Sequence, residues 1–539
     1  MGVLGWIPIP LFPVALTRLF AMTLNDFLIQ LVLFTSLFLV LQAKRVPRGW
    51  LGVSGVLLVA VVVGWAIAPQ WAGYFSGGLW FLLFLLPLLG SALVNRLVLQ
   101  DRYVAARRLA AGLKWLHPAD GFVDYPQLLQ GMALAQRGEQ TAARLIFDRY
   151  RTRNTPMGRM ATVMGYRMDA QWHALAQWIE TAVPPTTIAQ EPGLMAIYLR
   201  SLGEVGDLNR LLSGIDQWEQ HSRQMGTSLA LHQARLYGLA FCGQVEAVQH
   251  LLAGQLSVYS RSTQQFWLAT AEQMAGQDAI AHRMLAELRQ VPDHLLWNAI
   301  DWRQSRPAID PAQVLTEGAY QVLRRIKTAI DQEQRYPGWR SLSPRRSIIT
   351  CGLIGLNVAI FGWSVWQGSL EDSMVLYDLG ALAPDAVVAG EWWRVLTATF
   401  LHAGALHLIA NMGGLYIFGT WVESVLGHLR FSLCYVFCGM GSMLAVVAIA
   451  VLQQNLTDLT IGASGAILGL VGAEAAIQWQ GWRWERAKVA RERLQFIGIV
   501  IGFQVLSDLI TPQVSVIGHF SGLILGIVAG LVLYRRSHK

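Results

Sequence analysis

Residues 462–472 read Gly-Ala-Ser-Gly-Ala-Ile-Leu-Gly-Leu-Val-Gly, and residues 518–526 read Gly-His-Phe-Ser-Gly-Leu-Ile-Leu-Gly. Both are apolar runs with glycines at helical spacing. Gly465, Gly469 and Gly472 fall on one stripe of the first run, and Gly518, Gly522 and Gly526 recur every four residues in the second. Stripes of this kind let two helices approach closely inside a membrane. If they face each other, Ser464 and His519 come within hydrogen-bond reach, which is what serine activation needs: an imidazole that takes the hydroxyl proton. No acidic third residue presents itself, so a Ser–His dyad is the economical reading. The Gly-x-Ser-x-Gly elbow of soluble hydrolases is not matched, because Ala466 stands where its last glycine belongs.

The two runs belong to a series of six apolar windows at 347–366, 395–420, 431–452, 462–479, 494–510 and 515–534. A helix needs about 20 apolar residues to cross a bilayer, so each window reads as a span. Three further windows lie at Phe27 to Leu41, Leu51 to Ala68 and Tyr74 to Val94. Trp6 to Met22 is apolar too, but with Pro8, Pro10, Pro13 and Arg18 it reads as an interfacial segment rather than a span or a signal peptide. Composition agrees. Of 539 residues, 54% are hydrophobic and 14% charged, against about 25% charged in soluble domains. That excludes a purely soluble enzyme, and 21 Trp with 20 Phe exclude a disordered chain. Cys242, Cys351, Cys434 and Cys438 make neither a disulfide framework nor a metal-ligand spacing.

From about Arg96 to Arg346 charges are frequent and no spanning window occurs. Gly138, Gly206, Gly243 and Gly276 there follow apolar-periodic segments, at intervals near the ~34 residues of a tetratricopeptide-like repeat, with Asp169 where another would fit. Such repeats stack into a solenoid with a concave binding face, whereas a plain helical bundle with glycine C-caps gives the same spacing.

Net charge is +8. The bases cluster in alternate connections: Lys44, Arg45 and Arg48; Arg96, Arg102, Arg107 and Arg108; Arg335, Arg340, Arg345 and Arg346; Arg430; Arg483 to Arg493; and Arg535, Arg536 and Lys539. With nine spans these all fall on one side, which the positive-inside rule makes cytoplasmic. The helical middle is then cytoplasmic and the Ser464 end of its helix faces outward. The charge needs no nucleic acid to explain it.

Polar side chains inside spans are costly, and each is a candidate for function. Besides Ser464 and His519 they include His402, and His407 with Asn411 at i and i+4 on one helical face. Taken singly each is ordinary: a spanning Ser bonds its own backbone, and a spanning His or Asn joins helices. Their conjunction is not ordinary. Together with Gly390-Glu-Trp-Trp-Arg394, Gly462-Ala-Ser-Gly465 and Gly522, they resemble the rhomboid family of intramembrane serine proteases over residues 347–535. The resemblance implies a six-helix bundle with a water-filled cavity open to the outer face. It implies Ser464 as nucleophile and His519 as general base, with an oxyanion hole of His407, Asn411 and the Ser464 amide, supported by Gly462 and His402. Trp393 and Arg394 would belong to a loop partly in the membrane, which Glu423 would help anchor. Leu468 departs from the family, which often has an aromatic four residues after the nucleophile, and so does Gly518, often Ala.

The expected protein is therefore an all-α polytopic membrane protein. Residues 1–98 would carry about three transmembrane helices, 99–340 a cytoplasmic tetratricopeptide-like domain, and 345–539 the six-helix protease core. By the resemblance it cleaves transmembrane protein substrates with small and helix-breaking residues near the cut, and it uses no metal or organic cofactor. A cytoplasmic protein partner for the repeat region and a bacterial inner membrane complete the expectation. The rival readings are a catalytically inactive membrane scaffold, and a transporter with His402, His407 and Asp508 as a proton path.

Overall fold

The computed structural model describes residues 24–534 apart from 42, 44–45, 118–120, 222–228, 337–346, 370–372, 457 and 511–514. The segment Trp6–Met22 lies outside the described residues. The chain divides into two units, Met1–Ile330 and Asp331–Lys539. Among the described residues both are helical, and a single antiparallel bridge joins Leu382 to Thr460. Six helices there are long and apolar enough to cross a membrane: Arg48–Ile67, Pro69–Leu99, Ile348–Trp366, Ala405–Leu426, His428–Gln453 and Val516–Leu533.

The first unit opens on Leu24–Leu41, packed with Arg48–Ile67 and Pro69–Leu99. Asn25 fastens this group, accepting from the Gly73 amide at 2.7 Å and donating to the Pro69 carbonyl at 2.9 Å. Hairpins of shorter helices follow, from Tyr103–Leu116 onward. Their turns have one pattern. After Tyr125–Gln136, Gly138 takes φ +87, and the Glu139 amide reaches back to the Leu134 carbonyl at 3.0 Å. This left-handed cap is where glycine has no steric penalty. Gly206, Gly243 and Gly276 repeat it. In the remaining turn the left-handed residue is Ala170, with φ 51, one place beyond the Asp169 read from the spacing. These turns are roughly 32 to 37 residues apart, around the ~34 of the repeat.

Among the described residues the second unit has six long helices, named here α1 (Ile348–Trp366), α2 (Ala405–Leu426), α3 (His428–Gln453), α4 (Ser464–Glu485), α5 (Lys488–Ile510) and α6 (Val516–Leu533), with shorter ones in the loop between α1 and α2. Five of the six C-terminal windows fall on these long helices to within about six residues at either end, whereas the window at 395–420 meets α2 only from Ala405, its first ten residues forming the short helix Arg394–Thr397, a 3-10 turn and the loop before α2. α4 and α5 carry several charged and amide side chains, among them Glu474 and Arg493, which form a buried ion pair between the two helices. α4 is buried on most of its surface, with α3, α5 and α6 around it.

The glycine stripes meet as their spacing predicts. A Cβ on Gly522 would collide with the Gly465 carbonyl, one on Gly526 with the Gly469 carbonyl, and one on Gly530 would lie 2.6 Å from the Ala473 carbonyl. α4 and α6 therefore touch backbone to backbone, a contact only glycine permits on the α6 side.

Candidate active site

Ser464 is the first residue of α4, and the chain reaches it under tight control. Leu382 and Thr460 exchange both backbone hydrogen bonds at 3.0 Å, and the Gly462 amide donates to the Ala398 carbonyl at 2.9 Å. The loop between α1 and α2 is thereby tied to the segment entering α4. Gly462 has φ +123, and a Cβ there would lie 2.9 Å from the His407 ring and 3.7 Å from Asn411 Nδ2. Both backbone conformation and space demand glycine. The result places His407 and Asn411, on one face of α2, directly beside the approach to Ser464.

Ser464 Oγ lies 2.8 Å from His519 Nε2. The α4–α6 backbone contact brings them together across a sequence gap of 55 residues. His519 itself sits in the first turn of α6, where Ser515 Oγ accepts from the Gly518 amide at 3.1 Å. A Cβ on Gly518 would lie 3.1 Å from that hydroxyl and 3.5 Å from Val446, so only a small residue fits before the histidine. Asn411 and His402 are buried, and Asn411 Nδ2 and His402 Nε2 have no hydrogen-bond partner among the described residues. The His402 ring stands 5.1 Å from that of His407, and its Nδ1 lies 3.3 Å from the Phe400 carbonyl. Unsatisfied buried donors cost free energy, so a site that keeps one has a use for it.

Residues 389–536 match the family model described as Rhomboid domain. The C-terminal region carries a rhomboid domain. Similar proteins include RHOMBOID-like protein 6, mitochondrial, of Arabidopsis thaliana, 36% identical over 162 residues, which are 30% of this chain and 50% of that one. The Rhomboid protease GluP of Bacillus subtilis (strain 168) is 28% identical over 202 residues, 38% of each chain. The Inactive RHOMBOID-like protein 8 of Arabidopsis thaliana is 32% identical over 139 residues, 25% of this chain and 38% of that one. The chain spans about half the length of the first of these relatives. No solved structure matches it significantly.

Within the rhomboid domain, Arg394 organises the loop between α1 and α2. Its guanidinium donates to the Tyr377 carbonyl at 2.5 Å, the Ala381 carbonyl at 3.0 Å and Glu391 at 2.6 Å, and it lies 4.2 Å over the Tyr377 ring. Trp393 packs beside it, 4.8 Å from the guanidinium, and closes against Gly380. Glu423 lies elsewhere than the resemblance implies. Its carboxylate accepts from the Ile349 and Thr350 amides at 2.9 and 2.8 Å, the Thr350 hydroxyl at 2.6 Å, and pairs with His428 Nδ1 at 2.6 Å. It caps the positive end of α1 instead of anchoring the loop, because α2 runs beside the start of α1. Leu468 is half-buried and packs into the bundle core.

One residue of the site is missing from the dyad read in the sequence. Asp508 Oδ2 lies 2.8 Å from His519 Nδ1, on the ring edge opposite Ser464. At the end of an apolar run, an aspartate reads as interfacial. The available signal is Gln504, one turn earlier on the same face of α5, which donates to Asp508 Oδ1 at 2.7 Å.

Proposed function

We propose that this chain is an intramembrane serine endopeptidase acting on transmembrane protein substrates. The observation that carries the reading is the 2.8 Å contact between Ser464 Oγ and His519 Nε2 at the start of a buried helix. Ser464 attacks a substrate carbonyl while His519 Nε2 takes its proton. The tetrahedral oxyanion finds donors in Asn411 Nδ2, His407 and the Ser464 amide, which belongs to the unpaired first turn of α4. Gly462 keeps His407 and Asn411 close to that amide, and His402 backs His407. His519 then delivers the proton to the leaving amine, the C–N bond breaks, and water hydrolyses the acyl-serine by the same proton route. A substrate helix must open first, since its carbonyls are engaged along their own ladder, so substrates with small and helix-breaking residues near the cut fit best. The reaction calls for no metal and no organic cofactor.

The expected regions, 1–98, 99–340 and 345–539, assign the membrane-bound N-terminal helices, the tetratricopeptide-like middle and the protease core. The basic-loop asymmetry supports a cytoplasmic middle region offering its concave face to a protein partner, with a bacterial inner membrane as the assumed setting. A relative whose name calls it inactive makes a non-enzymatic scaffold the alternative. Full-length protein reconstituted in liposomes with a model transmembrane segment separates the two. Wild type is expected to cut it and Ser464→Ala is not; cutting by both sinks the protease reading.

A further inference from the structure

Asp508 has no part in a Ser–His dyad, yet its placement is specific. The residue is 8% exposed, and its two carboxylate oxygens are engaged separately: Oδ2 faces His519 Nδ1 at 2.8 Å, and Oδ1 accepts from Gln504 Nε2 at 2.7 Å. A carboxylate withdrawn from water is tolerated only when charged or polar partners replace the solvent. One of the partners here is the candidate base itself.

We propose that Asp508 is a positioning residue for His519, making the site an Asp508–His519–Ser464 relay; this rests on the protease reading above. An ionised carboxylate only accepts hydrogen bonds, so the His519 nitrogen facing it carries the hydrogen. That fixes the tautomer: Nδ1 is N–H and Nε2 holds the lone pair, 2.8 Å from the Ser464 hydroxyl that donates to it. Gln504 Nε2 is 3.4 Å from Nδ1, donor against donor, so its hydrogen bond goes to Asp508 and holds the carboxylate in place. Three polar groups meet the His519 ring: Ser464 from α4, and Asp508 and Gln504 from α5. Asp508 alone among these is an anion. When the Ser464 proton moves to Nε2, the ring becomes an imidazolium, and Asp508 offsets its charge without taking the proton. The consequence is geometric as well: the acid rides on α5, so the relay is complete only while the Asp508 end of α5 lies against α6.

The test is the second-order rate of fluorophosphonate labelling of the full-length protein in detergent, with its melting temperature measured in parallel. Asp508→Asn keeps the shape but lets its amide face Nδ1, favouring the wrong tautomer. By analogy with serine-protease triads, a loss of about 100-fold or more at unchanged melting temperature is expected. In cleavage of a model segment the loss should fall on kcat with KM unmoved. Asp508→Glu should label faster than Asp508→Asn because it restores a carboxylate. Labelling of Asp508→Asn at the wild-type rate overturns the proposal, as do equal rates for the Asn and Glu variants in folded protein. Should Asp508→Asn not fold, the matched pair Asp508→Glu and Asp508→Gln decides: a faster Glu variant supports the relay and equal rates overturn it. Failure of the wild type itself to label in folded protein would instead strike the protease reading.

Discussion

α6 and α5 both pack on α4, by opposite means. Against α6, Gly522 and Gly526 bring backbone onto backbone, and no side chain intervenes. Against α5, Ala490 and Ile497 share the buried apolar core with α4, and polar side chains add to it: Arg493 reaches buried Glu474, and toward the other end of α5 Asp508 reaches over to His519 on α6. The first seam is fixed by steric exclusion, which tolerates little displacement. The second relies in part on charges whose attraction must offset their own desolvation. The serine and the imidazole sit on the first seam, the carboxylate on the second. A reacting pair needs its geometry held to a fraction of an ångström, and the rigid seam supplies that.

Five substitutions, two of them used as a pair, test this contrast, taken from the largest effect to the smallest. Arg493→Leu strands the fully buried Glu474 carboxylate and should destabilise the second unit by about 3–5 kcal/mol. Pairing it with Glu474→Leu should recover most of that loss in denaturant titrations; no recovery would show that α5 is not held by this pair. Gly522→Ala pushes a methyl into the Gly465 carbonyl and should cost about 1–3 kcal/mol. Its labelling rate should fall further than that of Arg493→Leu at equal stability, because it moves His519 from Ser464 directly. The reverse ranking would mean that the charged seam, not the glycine seam, positions the pair. Glu423→Gln removes the carboxylate that accepts from the Ile349 and Thr350 amides, and should cost about 1–2 kcal/mol with labelling nearly intact. Phe503→Ala, on the outward face of α5 at 68% exposure, should change stability by about 0.5 kcal/mol or less.

The parts of this site that could be read from sequence are those governed by local periodicity. Glycines four apart announce a close helix contact wherever the partner lies, so two stripes taken to face each other suggest the pairing of Ser464 with His519. His407 and Asn411 share a face for the same reason. Asp508 and Glu423 were out of reach because their partners are set by how helices lie in space. The His519–Asp508 contact depends on how α5 and α6 lie beside each other, and Glu423 meets α1 only because α2 runs beside its start. The left-handed turn at Ala170 is read one residue early, at Asp169, for another reason: glycine signals such a conformation, and alanine does not. α4 and α5 read as spans, and the charges of Glu474 and Arg493 are visible in the sequence, but their pairing is not, because it joins residues 19 apart on two helices.

The central claim is that Ser464 is an activated nucleophile with His519 as its base. Its most direct measurement is fluorophosphonate labelling of the purified full-length protein, comparing wild type with Ser464→Ala and His519→Ala, each shown to be folded by its melting transition. Labelling of the wild type, with the label located on Ser464 by peptide mass spectrometry and absent from both variants, is the predicted result. A folded wild type that takes no label, or a label that persists in His519→Ala at the wild-type rate, would contradict it.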